Sequence, residues 1–212
     1  MTISRIAVTA MLALALAGCS RRGEIDATGG IVAVRSSCPA AAIPAFTGDV
    51  TLFNPPQSRD AAAIDVVANM TDLRSTCTDG AQLFTEATFT VNARRTDASG
   101  ARQVTLPYFS TIVRGGNAVV AKRVGQLVLD FAPGQYRASA VGRAGSYVDR
   151  ASATLPPDIQ QKITQKRKAG DADAALDPFA QPDVRAALQR TSFELLVGFN
   201  LTQDQLRYNA TR

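Results

Sequence analysis

Histidine is absent from this 212-residue chain. Its absence removes imidazole acid–base catalysis, Ser–His–Asp and Cys–His nucleophiles, and every zinc site that needs an imidazole ligand. Tryptophan is absent as well, and glutamate occurs only at Glu24, Glu86 and Glu194. An acid–base pair needs two convergent carboxylates. The sequence places Glu24 in a polar N-terminal stretch, Glu86 at the start of an alternating segment and Glu194 in a helix-like one. Asp130 stands beside Phe131 at a strand end, and nothing draws these groups together. No Ser-x-x-Lys spacing occurs, and no glycine-rich phosphate loop is found. Gly115-Gly116 and the stretch from Gly142 to Gly145 read instead as hairpins. These absences make a non-enzymatic protein without cofactor or metal the leading expectation. An enzyme built on a carboxylate site is the weaker one. What the chain does have is 46% apolar residues, enough for a globular core.

No apolar run reaches the roughly 20 residues that a membrane-spanning helix needs. The longest begins after Arg5, runs from Ile6 to Ala17 and ends in Gly18-Cys19. A basic start followed by such a run has the form of an export signal. Leu16-Ala17-Gly18-Cys19 resembles the lipobox of bacterial lipoproteins at all four positions. That resemblance implies cleavage before Cys19, a diacylglyceryl group on its sulfur and a further acyl chain, such as palmitate, on the new amine. Each buried CH₂ contributes about 0.8 kcal/mol, and more than one acyl chain makes anchoring stable. Ser20 follows, where Asp would favour the inner membrane in the general lipoprotein sorting pattern. The resemblance therefore implies the periplasmic face of the outer membrane. The Ala- and Arg-rich body is also similar in composition to small lipoproteins of Gram-negative proteobacteria that carry no assigned activity.

Two cysteines remain beyond the lipobox, Cys38 and Cys77. In an exported chain an even number of cysteines reads as a disulfide. The alternative is two separate buried thiols. Neither residue has metal-site or CxxC spacing.

The chain divides into a signal peptide (1–18), a flexible tether (19–30), a β-domain (31–154) and a helical segment (155–212). In the β-domain, Phe89, Val91 and Ala93 alternate with polar residues, and so do Ile64, Val66, Ala68 and Met70, as strands with one buried face do. Asp97 to Gly100, Gly115-Gly116, Pro133-Gly134 and Ala144-Gly145 read as turns. Pro107 marks the strand around it as an edge. About seven strands at this spacing predict an antiparallel β-sandwich. The segment Val124 to Ala140 resembles the E–F region of immunoglobulin-like domains, with Tyr136 at the tyrosine-corner position. That resemblance implies an immunoglobulin-like architecture, although no core Trp is present and the cysteines do not fall on the usual strands.

Beyond Pro156 the periodicity becomes helical, over Asp158 to Lys168 and again over Asp183 to Val197. Gly198 follows as a C-cap. Thr202-x-x-Gln205 is a capping box that opens a third helix to about residue 209, with Leu201 and Leu206 placed as its staple. Phe193 to Leu201 also alternate as a strand would, and the helix is the preferred reading. Lys162, Lys166, Arg167 and Lys168 form a basic helical face, a candidate contact for anionic envelope components such as lipopolysaccharide or peptidoglycan. The other reading is a solvated face. Asp171, Asp173 and Asp177 have part of a calcium-loop spacing but lack its glycine and closing Glu. Export excludes nucleic acid as partner. The sequence thus points to a non-catalytic lipoprotein acting as a periplasmic scaffold or protein-interaction module, with an anionic-polymer-binding module as the alternative. Its partners would be the membrane, through the anchor, and envelope proteins.

Overall fold

A computed structural model describes residues 36–165, 170 and 176–211. Residues 1–30, which the sequence reading assigns to a signal peptide and a tether, lie outside the described residues. The body is mainly β, with two four-stranded sheets facing each other as a sandwich. One sheet has the order β1 (Ala40–Ala42), β8 (Phe193–Phe199), β5 (Arg102–Arg114) and β6 (Ala118–Phe131). The other has the order β2 (Asp49–Phe53), β3 (Ile64–Thr78), β4 (Gln82–Arg95) and β7 (Arg137–Asp149). All pairs are antiparallel except β1 with β8.

Alternation explains the core. In β4 the odd positions from Leu83 to Arg95 are buried and face the other sheet, while the even ones face outward. Phe89, Leu129, Phe131, Leu195 and Val197 meet between the sheets. The turns at Asp97, at Gly115-Gly116 and at Pro133-Gly134 form as the sequence predicts. Ser99 N–H donates to Asp97 Oδ1 at 2.9 Å, which also holds the Asp97 carboxyl below its ordinary pKa. Gly115 and Gly116 both take positive φ, 61° and 79°, and close the β5–β6 hairpin.

Four helices follow β7 or flank β8: α1 (Arg150–Ala153), α2 (Pro157–Thr164), α3 (Pro182–Thr191) and α4 (Gln203–Thr211). Ile159 and Ile163 of α2 pack on Val184 and Ala187 of α3 in a second small core. The capping box of α4 is made. Thr202 N–H donates to Gln205 Oε1 at 2.9 Å, and Gln205 N–H donates to Thr202 Oγ1 at 3.2 Å.

The structure corrects five expectations. The helix beginning near Asp183 stops at Thr191, and Phe193–Phe199 is a strand between β1 and β5, so the helical segment returns to the sandwich. Gly198 is accordingly not a C-cap. A Cβ there would stand 2.3 Å from Thr47 Oγ1, so glycine admits the Thr47 side chain against the strand. Pro107 lies in a strand paired on both sides, yet its carbonyl receives Asn200 N–H at 2.8 Å, just past the end of β8. Its missing N–H therefore falls where the β8 ladder has already ended. Ala144-Gly145 is not a turn. Both residues lie inside β7, as does Gly142, and the glycines make room for Phe84 and Phe89 of β4. Tyr136 does not form a tyrosine corner either, being 56% exposed. The turn it belongs to is held by buried Arg95, whose Nε and Nη2 donate to Gln135 and Ala132 carbonyls at 2.8 and 2.9 Å.

Candidate functional site

The side of the sandwich formed by β6 and β7 is closed at one level by a single side chain. Tyr108 projects inward from β5, packs edge-on against Phe89 and donates its hydroxyl to the Arg143 carbonyl of β7 at 2.7 Å. Two glycines make the crossing possible. A Cβ at Gly125 of β6 would lie 2.6 Å from Tyr108 Cζ, and one at Gly142 would lie 2.2 Å from Phe89 Cζ.

The outer edge of β6 is left open. Backbone direction follows from Pro107, whose carbonyl points toward β8. In an antiparallel strand both backbone groups of a residue point to one side, and neighbours alternate. The even residues of β5 therefore bond to β6, and their partners there are the odd ones, Arg123, Gly125, Leu127 and Leu129. Lys122, Val124, Gln126 and Val128 aim their N–H and C=O groups away from the sheet. None of these backbone groups has a hydrogen-bond partner among the described residues. Their side chains stand on the outer face, with Val124 57% and Val128 40% exposed. From Ala118 to Val124 every residue of β6 is exposed. Lys122 Nζ sits 5.5 Å from the Phe109 ring centroid, and Arg123 follows it. Asp130, at the far end, is engaged by Gln103 Nε2 at 2.9 Å.

A cavity of about 690 Å³ lies elsewhere, between β2, the residues following it and α4. Two of its charged groups, Arg102 and Asp65, are matched to each other. Arg102 holds Asp65 through two bonds of 2.6 Å, which raise the guanidinium pKa further, and Arg59 lies over the Phe53 ring. Asp204 on its rim pairs with Arg207 at 3.3 Å. Asn209 fixes α4 beside it by donating to the Phe46 and Asp49 carbonyls at 2.8 and 2.7 Å.

Of the residues singled out in the sequence, Cys38 and Cys77 are joined as a disulfide, with Cα atoms 6.1 Å apart. It ties the segment before β1 to the end of β3. Cys19 lies outside the described residues, as do Lys166, Arg167, Lys168, Asp171 and Asp173. Lys162 pairs with Asp183 across α2 and α3. Hydrogen bonding in that pair raises the lysine pKa and lowers the aspartate's. Asp177 caps a short 3₁₀ turn by accepting from Phe179 N–H at 2.9 Å. Glu86 and Glu194 are on strands of different sheets, and Glu86 lies 3.9 Å from Arg143. Among the described residues no group of His, Cys, Asp or Glu is placed to hold a metal ion, and no helix is long and apolar enough to cross a membrane. Sequence reasoning missed Tyr108, Gly125 and the β6 edge. The signal for the edge was the run Ala118 to Val124, which carries valines without the alternation seen in β4. Comparison of the chain with family models, with curated proteins and with solved structures finds no match.

Proposed function

We propose that this protein is a non-catalytic, lipid-anchored interaction module of the bacterial envelope, held by Cys19 on the periplasmic face of the outer membrane. The observation that carries the interaction reading is the open edge of β6. It combines unpartnered backbone groups with exposed valines, and such an edge is a ready template for another chain. The sequence from Arg5 to Cys19 supports the anchor. We further propose an immunoglobulin-like topology for the sandwich. β4 pairs with β7 in one sheet while β5 pairs with β8 in the other, as strands B with E and C with F do in that fold.

Two measurements test this reading. Cys19→Ser should move the protein out of the membrane fraction, and retention in high salt would contradict the anchor. A photocrosslinking side chain at Val124 should capture an envelope protein in intact cells, whereas one at exposed Asn69 on the other sheet should not. Equal or absent capture at both positions would contradict the interaction role.

A further inference from the structure

We infer that the edge of β6 from Lys122 to Val128 takes up an extended acidic peptide segment as an added strand. This inference rests on the interaction-module reading and names the chemistry of its partner. The backbone supplies the affinity. Lys122, Val124, Gln126 and Val128 present alternate N–H and C=O groups outward, in the spacing that a ninth strand would need. The side chains supply the choice of partner. Val124 and Val128 flank the incoming strand on the outer face and suit apolar or β-branched residues at every second position.

Charge narrows the partner further. Lys122 and Arg123 stand at the start of this edge, and the one acidic residue of β6, Asp130, lies beyond its other end and is engaged by Gln103. Lysine on an edge strand ordinarily discourages pairing with other chains. Toward an acidic strand the same charge becomes an attraction, so the edge rejects neutral and basic strands and admits acidic ones. A second copy is disfavoured by the same argument, because its β6 would bring Lys122 and Arg123 into the same ladder. On the neighbouring edge strand, β7, the Tyr108 hydroxyl already occupies the Arg143 carbonyl.

The test uses two fluorescent eight-residue peptides, Val alternating with Glu in one and with Lys in the other. Each is titrated with the full chain in detergent and followed by anisotropy. The acidic peptide should bind, more weakly as salt rises, and the basic one should not. Val124→Pro removes an outward N–H without touching the β5 ladder, and should weaken binding by about tenfold or more. Lys122→Glu with Arg123→Glu should reverse the preference between the peptides, a result that loss of folding cannot imitate. Equal binding of both peptides, unchanged binding by Val124→Pro, or self-association in place of peptide binding would overturn the inference. Capture at Val124 in cells without acidic-peptide binding would overturn the inference and leave the interaction reading intact. Failure of both would overturn both.

Discussion

Gly142→Ala tests the packing that closes the sandwich behind the β6 edge. The methyl group would be placed 2.2 and 2.3 Å from Phe89 Cζ and Cε2, well inside contact distance. Phe89 is 1% exposed and has Tyr108 edge-on at 5.2 Å, so its ring has no open direction in which to retreat. Overpacking of this kind costs about 1–3 kcal/mol, and the absence of a retreat puts the value near the top, about 3 kcal/mol. For a domain of this size that lowers the melting temperature by about 6–12 °C. Gly134→Ala is the control. Its φ of 76° strains a side chain, but no heavy atom lies within 4 Å, so its cost is about 1 kcal/mol. Phe89→Leu should partly rescue Gly142→Ala, giving a double variant more stable than the sum of the singles by about 1 kcal/mol. Denaturant midpoints at constant slope measure all four proteins. A Gly142→Ala change within about 0.5 kcal/mol, or strict additivity with Phe89→Leu, would refute the argument.

Asn209→Ala leaves the Phe46 and Asp49 carbonyls without their donor and should cost about 2 kcal/mol. Thr202→Ala removes only the cap of the same helix and should cost about 1 kcal/mol, and a reversed order in denaturation would contradict the anchoring role of Asn209. Replacing Cys38 and Cys77 by Ser opens a link across 39 positions and should cost about 2–4 kcal/mol, so an unchanged midpoint would show that the bond does not form in the protein. The Lys162–Asp183 pair predicts a pH effect. Asp183 has a depressed pKa, so its contribution is present above its unfolded value and is lost as pH falls through the folded one. Asp183→Asn should therefore flatten part of the acid limb of the stability curve, and parallel curves for the two proteins would contradict the pair.

Local chemistry made much of the fold readable before the structure. The alternation in β3 and β4, the two positive-φ glycines and the reciprocal Thr202–Gln205 cap each depend on residues close in sequence. The errors arose where a residue serves a distant one. Gly198, Gly142 and Gly145 looked like punctuation because glycine ends helices and makes turns. In the structure they accommodate Thr47, Phe89 and Phe84 from other segments. Pro107 looked like an edge marker because the sequence does not reveal that β8 stops beside it. Phe193 to Phe199 carries the alternation of a strand, but a glycine within it and a capping box after it favoured a helix on local grounds. The open edge was hidden for a related reason. Whether a strand is central or peripheral is a property of sheet order, and only the non-alternating run from Ala118 to Val124 hinted at it.

The alternating direction of the β6 backbone is the basis of the proposed role, and residue-resolved amide hydrogen exchange measures it directly. In the free protein the amides of Lys122, Val124, Gln126 and Val128 should exchange quickly, while those of Arg123, Gly125, Leu127 and Leu129 are protected by β5. Saturating acidic peptide should slow the first set and leave the second unchanged. Protection of the first set in the free protein, or rapid exchange there with the peptide bound, would contradict the account.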